Sequence, residues 1–319
     1  MSKLSIVIPV YFNEENLEDL YEDLSKKAFP HLDDYEIVMV DDGSGDASWR
    51  IMNEIRMKDP DHVKCVKLSR NFGEHAALLA GFNICTGDCA VTKQADLQED
   101  SSIIPQMYES WKKGNDVVLA VRRSRQDSAG VKATAGAYYK IVQRFINSNM
   151  PEEGTDCYLL DRKVIEVIKD LDEKNSSLTL QVIWSGFQTD RVYFDRLERE
   201  KGVGRWTLAK KIKLASDSLL SFSYLPIKAM TWMGIVFDVL AVLWIIEVII
   251  EFFVMGTPVR GWSTLICLVL FSSGAIMFML GIIGEYLWRT LDASRNRPPF
   301  IIDEVRTGTE GTDKTVGRS

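Results

Sequence analysis

The segment Thr92-Lys93-Gln94-Ala95-Asp96-Leu97-Gln98-Glu99-Asp100 follows a short apolar run, Cys89-Ala90-Val91, that reads as the end of a strand. Asp96 and Gln98 stand two apart on a post-strand loop, a spacing that can point two hard oxygens the same way. That suits Mg2+ or Mn2+ holding a diphosphate, because a small hard cation takes oxygen ligands and keeps places for phosphate and water. Acidic loops are common and most are only solvated. The pair gains force from what surrounds it: an alternating strand–helix pattern before it and two membrane-length apolar segments after it.

The elements that must position this loop follow from periodicity. Short β-branched runs predict strands at Leu4–Val10, Tyr35–Val40, Val63–Leu68, Asp88–Val91 and Asp116–Val121. Helical spacing predicts helices at Asn16–Lys27, Ala47–Lys58 with Asp46 as N-cap, Glu74–Ile84 and Ile103–Lys113. Further on, a helix is expected at Val131–Asn147 and strands at Cys157–Leu160 and Thr189–Phe194, the last near the far edge. Such alternation implies an α/β domain with a mostly parallel sheet covered on both faces. Ligands then bind at the carboxyl ends of the strands. Those ends carry Tyr11 to Glu14, Asp41-Asp42, Arg70-Asn71 and Asp96.

A dinucleotide site is excluded by the first of these ends. It needs glycines where pyrophosphate meets the helix N-terminus. Here the run is Pro9-Val10-Tyr11-Phe12-Asn13-Glu14-Glu15, with no glycine and two carboxylates; Gly43-Ser44-Gly45 comes one strand too late. Carboxylates at strand ends suit hydrogen bonding to a base or ribose instead. The diphosphate charge falls to a cation at Asp96 and to arginines, with Arg122-Arg123 after the fifth strand as the candidate pair.

The chain has 319 residues and a net charge of −7, which excludes nucleic acid as a bulk partner. Its cysteines, Cys65, Cys85, Cys89, Cys157 and Cys267, are odd in number and form no framework, which fits a reducing compartment. Cys85 and Cys89 have no second pair or histidine cluster and are read as small apolar residues beside a strand. Met1 to Ile6 holds no long apolar run, so the first two hundred residues are expected in the cytoplasm.

The second half changes character. Trp206–Phe222 places Leu208, Ile212, Ala215, Leu219 and Phe222 on one helical stripe, with Lys210, Lys211 and Lys213 around the polar side. A basic amphipathic helix before an apolar segment is expected to lie on anionic headgroups. Ile235–Val254 and Leu265–Ile283 are long enough to span a bilayer. Asp238 in the first is expected to face another helix or water. Trp232, Trp244, Trp262 and Trp288 lie at or near the ends, as in an aromatic belt. Lys210, Lys211, Lys213 and Lys228 precede this hairpin, Arg289, Arg295 and Arg297 follow it, and Arg260 sits between. The positive-inside rule puts both termini in the cytoplasm. The polar tail after Val305 is expected to be disordered.

Four motifs in order carry a family resemblance: Ile8-Pro9-Val10-Tyr11, Val40-Asp41-Asp42-Gly43-Ser44, Leu68-Ser69-Arg70-Asn71-Phe72-Gly73 and Ala95-Asp96-Leu97-Gln98. Gly154-Thr155-Asp156-Cys157 and Gly284-Glu285-Tyr286-Leu287-Trp288-Arg289 extend it, so that it runs from about Leu4 to about Val305. The chain resembles the inverting family 2 glycosyltransferases, and within them the polyisoprenyl-phosphate hexosyltransferases. The resemblance implies a GT-A fold over residues 1–205, a juxtamembrane amphipathic segment at 206–225, a two-helix transmembrane hairpin at 226–289 and a cytoplasmic tail at 290–319.

It further implies inverting transfer of a hexose from a nucleotide sugar, expected to be a UDP-hexose, to polyprenyl phosphate. Pro9, Tyr11, Glu14, Asp41, Asp42, Arg70, Asp96 and Arg122 would bind the donor. Asp96 and Gln98 would hold the metal, and Arg122 with Arg205 the diphosphate or acceptor phosphate. Asp156 would act as base or orient a sugar hydroxyl. Related proteins suggest a homo-tetramer at the cell membrane. Three departures stand out: Phe12 interrupts the usual Tyr-Asn-Glu-Glu run, Gln94 replaces the first Asp of Asp-x-Asp, and Gly204 precedes Arg205-Trp206 where the family often has Ser. Two other functions share parts of this pattern. A processive polysaccharide synthase usually carries Gln-x-x-Arg-Trp, and Gly202 occupies its Gln position. A catalytically silent membrane interaction protein rests on Gln94 alone.

Overall fold

Leu4, Ile6, Val7, Ile8 and Val10 are all buried, so the first strand, β1 (Lys3–Val10), is covered on both faces and shows no alternation. The helix after it, α1 (Leu17–Lys27), buries only the stripe Leu17, Leu20 and Leu24, which the 3.6-residue period puts on one side. These belong to a computed structural model that describes residues 1–123, 140, 143–144, 150–151, 154–155, 157–171, 177–195, 217, 220–223, 225–255, 261–295 and 297–308. The chain divides into two units, Met1–Ala215 with Pro298–Ser319, and Ser216–Arg297.

In the first unit the alternation continues through β2 (Asp34–Asp41), α2 (Ser48–Lys58), β3 (Val63–Leu68), α3 (Glu74–Ile84), β4 (Cys89–Thr92), α4 (Ile103–Lys112) and β5 (Val117–Arg122). It is completed by β6 (Cys157–Asp161), α5 (Arg162–Asp170), α6 (Leu178–Trp184), β7 (Thr189–Phe194) and β8 (Ile302–Arg306). The eight-stranded sheet has the order β7-β5-β6-β4-β1-β2-β3-β8. Pairs β1–β2, β1–β4, β2–β3 and β5–β7 are parallel; β4–β6, β5–β6 and β3–β8 are antiparallel. Because β6 runs against both neighbours, β4 and β5 point the same way. The carboxyl ends of β1 to β5 therefore share one edge, and β6 begins there.

Among the described residues four of the seven strand pairs are parallel, as the alternation predicts, and β6 and β8 add the antiparallel ones. The sequence expectation differs from the structure in two places. The first concerns β8. Ile302–Arg306 holds three charges and lies in the stretch read as a tail at 290–319, yet it pairs antiparallel with β3 and buries Val305. A polar, five-residue run becomes a strand only because the β3 edge offers it a ladder. The second concerns α2, whose N-cap is Ala47; Asp46 Oδ1 accepts from the Ser48 N–H at 3.1 Å. The expected helix at Val131–Asn147 and most of the amphipathic stretch Trp206–Phe222 lie outside the described residues.

At the opposite edge a buried acid joins four segments. Glu36 on β2 is 1% exposed and accepts from Ser5 Oγ at 2.6 Å and Thr86 Oγ1 at 2.9 Å. Its Oε2 lies 2.7 Å from Lys64 Nζ on β3. Burial alone would raise its pKa; the bonds from Lys64, Ser5 and Thr86 win and bring it down to about 2 from the ordinary glutamate value of 4.5. The folded carboxyl thus stays ionised where the unfolded one binds a proton. Its contribution, roughly 3 kcal/mol, is full above about pH 4.5 and is lost as pH falls toward about 2. Glu36→Gln is expected to lower the melting temperature at pH 7 and to flatten the acid limb of the stability curve. A variant with the wild-type acid limb would remove Glu36 as its source.

The second unit holds α7 (Leu225–Met255) and α8 (Trp262–Ser294), of 31 and 33 residues. At 1.5 Å per residue each is about 45 Å or more in length, beyond the ~30 Å of a bilayer core. Both are long and apolar enough to cross a membrane, with candidate spans Pro226–Trp244 and Phe271–Ser294. Large apolar side chains are exposed on both, among them Leu240, Leu243, Phe278 and Leu280. Phe237 and Phe271 pack edge to face at 5.2 Å. Asp238 is exposed on α7. Both helices outrun the expected spans, α8 continuing through Arg289, which pairs with Glu285 at 3.1 Å and Asp217 at 2.6 Å.

Candidate active site

The loops after β1, β2, β3 and β4 are tied to one another by hydrogen bonds, in that order. After β1, Phe12 takes a left-handed backbone with φ 56°, and its N–H donates to Ser44 Oγ at 3.0 Å. This accommodates the residue that interrupts the expected Tyr-Asn-Glu-Glu run. Tyr11 packs edge to face on Phe12 at 4.7 Å. Glu14 turns to the start of α2, where Oε2 accepts from the Ala47 N–H at 2.7 Å. Pro9 lies within β1, opposite Val40.

After β2 come two buried acids. Asp42 accepts from the Phe72 N–H at 2.7 Å through Oδ1 and from the Gly73 N–H at 2.9 Å through Oδ2. Between these loops Gly43 has φ +70°, and a Cβ there would sit 2.6 Å from the Arg70 carbonyl carbon. Only glycine allows both that conformation and that approach. Asp41 is fully buried; Oδ1 accepts from the Ser44 N–H at 3.1 Å, and Oδ2 has no hydrogen-bond partner among the described residues. Burial pushes both carboxyls up, against the N–H donors that favour the charged forms. Arg70 is exposed, its guanidinium 4.4 Å above the Phe72 ring.

The β4 loop joins this network through a residue pair that sequence reading missed. Glu74, in the first turn of α3, accepts from Gln94 Nε2 at 2.6 Å. Asp96 Oδ1 accepts from the Gln98 N–H at 3.2 Å, with Leu97 left-handed at φ 57° between them. Lys93, fully buried, donates from Nζ to the Glu99 carbonyl and so braces the loop from beneath. Lys27 holds the far end, with Nζ 2.7 Å from Asp100 and from Asp23. These interactions keep the Asp100 carboxyl down at about 2, although burial opposes them. One faint signal for Lys93 was visible in sequence: a lone lysine directly after an apolar strand.

Asp96 and Gln98 offer one carboxylate and one amide on a tight turn. Among the described residues no group of three or more His, Cys, Asp or Glu could hold a metal alone. That donor set fits a small hard cation completed by phosphate oxygens and water, and does not fit an all-protein cage.

On the other side of β4, Arg122 ends β5 in register with Phe194, and Arg123 pairs with Asp195 at 3.4 Å. In the sheet β6 lies between β5 and β4. Asp156 and Arg205 lie outside the described residues. The neighbours of Asp156 are placed: Thr155 Oγ1 donates to the Ala120 carbonyl at 2.8 Å, and Cys157 Sγ to the Thr92 carbonyl at 3.0 Å. The chain therefore enters β6 at the edge that bears Asp96. Cys65, Cys85 and Cys89 are buried free thiols, and burial raises the Cys65 thiol to about 12.

An edge built this way, with acids after β2 and an Asp-x-Gln turn after β4, can be set beside known proteins. The family described as Glycosyl transferase family 2 matches residues 5–169. The bactoprenol glucosyl transferase of Shigella phage SfII is 35% identical over 309 residues, 96% of this chain and 99% of that one. An uncharacterized glycosyltransferase, YkcC, of Bacillus subtilis (strain 168) is 35% identical over 94% of this chain and 93% of its own. Among solved structures, mannosyltransferase PcManGT from Pyrobaculum calidifontis, in complex with GDP-Man and Mn2+, is 16% identical. It covers 66% of this chain and 60% of that one, with a TM-score of 0.47. The family match spans more than half of the chain and the relatives span nearly all of it, so this protein is a glycosyltransferase that belongs to glycosyl transferase family 2.

Proposed function

We propose that this chain transfers a hexose from a UDP-sugar to polyprenyl phosphate at a membrane surface, with inversion at the anomeric carbon. The donor half rests on one observation: a buried Asp41 oxygen without a hydrogen-bond partner, at the carboxyl edge of the sheet. A buried acceptor left unmade is costly, and a ligand N–H removes the cost. A uracil ring presents one such N–H. Pro9, Tyr11 and Glu14 would complete the base pocket, and Asp42 and Arg70 would flank the ribose and phosphates. The acceptor half is supported by the name of a near full-length relative, bactoprenol glucosyl transferase, and by the two long apolar helices.

In the reaction a phosphate oxygen of the acceptor forms a bond to the anomeric carbon while the bond to UDP breaks. The electron pair of that bond leaves on the β-phosphate. The acceptor is already an anion near neutral pH, so a strong base is not essential. The harder task is to neutralise the leaving diphosphate and to bring two anions together. Asp96 and Gln98 would hold Mg2+ or Mn2+, which when bound supplies charge for the diphosphate. Arg122 would face the leaving group, Arg205 the acceptor phosphate, and Asp156 would orient a sugar hydroxyl or serve as base.

The two helices would form a hairpin with both termini and the sheet domain in the cytoplasm. External labelling of single-cysteine variants should then reach position 257 but not positions 2 or 319; labelling at position 2 in intact cells would overturn this topology. The reaction itself is tested with purified protein, undecaprenyl phosphate and a panel of UDP- and GDP-hexoses, with the lipid product identified by mass spectrometry. A polyprenyl-monophosphate hexose formed from a UDP donor is the expected result. Turnover with GDP-sugars only, or no lipid product, would refute the reading.

A further inference from the structure

The contact between Glu74 and Gln94 joins the first turn of α3 to the loop that carries Asp96. At 2.6 Å it is a short bond between a carboxylate oxygen and an amide N–H. A carboxylate only accepts hydrogen bonds, so Glu74 decides which end of the Gln94 amide faces α3. The NH2 group is held, and the carbonyl oxygen is turned away from the helix. Gln94 stands two residues before Asp96, as Asp96 stands two before Gln98. Glu74 in turn follows Gly73, whose N–H is held by Asp42. One turn of backbone thus touches both the buried acids of the β2 loop and the proposed cation loop.

We propose that Glu74 is a positioning residue for the donor site. It sets the Gln94 amide with its carbonyl oxygen toward the cation position at Asp96 and gives the loop the negative charge that Gln94 lacks. The inference rests on the donor-site reading above. It also makes a demand on charge. A second carboxylate at position 94 would place two acids within hydrogen-bond distance, and one would have to bind a proton or swing away. The pair works with one acid and one amide, and the order in which they stand is secondary.

An isosteric exchange tests this. The full chain in detergent micelles is titrated with UDP in the presence of Mn2+ by calorimetry, and its melting temperature is recorded alongside. Gln94→Glu is expected to weaken binding about tenfold, since like charges meet where a charge-assisted bond stood. Glu74→Gln should weaken it about fivefold, because a neutral bond of lower strength no longer fixes the amide. The double variant Glu74→Gln with Gln94→Glu should return to within about threefold of wild type, as the acid and amide have only traded places. A double variant that binds no better than Gln94→Glu would overturn the inference. So would a Glu74→Gln protein that binds UDP with Mn2+ like wild type, whatever its melting temperature; that single variant decides the matter if Gln94→Glu does not fold. Asp96→Ala separates the two levels. If it keeps wild-type binding, the donor-site reading fails and this inference with it. If it loses binding while the exchange restores nothing, the role of Glu74 alone is refuted.

Discussion

Asp96→Ala is expected to cut hexose transfer by about 10³-fold or more while the domain keeps its fold. Asp96 is half-buried on a loop held from several sides: Lys93 on the Glu99 carbonyl, Glu74 on Gln94, and Lys27 on Asp100. These three ties do not use the Asp96 side chain and hold the loop even when the bond from the Gln98 N–H to Asp96 Oδ1 is lost. What is lost is the one carboxylate in the proposed cation set. The amide of Gln98 carries no charge, and Gln98→Ala should be milder for that reason. Transfer rates at saturating Mn2+, with circular dichroism as the check on folding, decide the matter. An alanine variant that retains most of its Mn2+-dependent activity would remove Asp96 from the metal site.

Gly43→Ala is expected to damage stability and donor binding together. Its backbone is at φ +70°, and the added Cβ would meet Arg70 C at 2.6 Å and Asn71 N at 2.7 Å. These are backbone atoms, which cannot rotate aside. The β2 and β3 loops would have to part, and with them the bonds from Phe72 and Gly73 to Asp42. A cost of about 3 kcal/mol is expected, from left-handed strain plus the clash. Gly114 provides the control, since it has φ +99° and nothing within 4 Å of its would-be Cβ. Gly114→Ala should incur only the strain, about 1 kcal/mol, and leave UDP affinity unchanged. Equal losses of stability in the two variants, with UDP binding intact in Gly43→Ala, would show that the close approach of these loops is not needed.

Much of this protein was fixed by local pattern. The runs Val63–Leu68 and Glu74–Ile84 were bounded to the residue, because β-branched and helical periods report directly on which faces are covered. The two apolar helices announced themselves by length, and the second also by the lack of charge over Leu265–Ile283. The loop of Asp96 and the acids Asp41 and Asp42 were legible because strand ends in an α/β sheet are where ligands sit.

What the tertiary structure decided were the partners. Nothing local marks Glu36 as buried; it depends on Ser5, Lys64 and Thr86, residues 28 to 50 positions away. Glu74 and Gln94 read separately as a helix-start acid and a departure from Asp-x-Asp, and only packing makes them one unit. Asp41 and Asp42 look alike in sequence, yet among the described residues Asp42 has a donor on each oxygen whereas Asp41 keeps one oxygen without a partner. The strand β8 exists because the edge of β3 is open to it, across more than 230 residues of chain. Periodicity depends on near neighbours and can be read along a sequence. A buried hydrogen bond or an edge pairing joins distant residues, and only the folded chain brings them within reach.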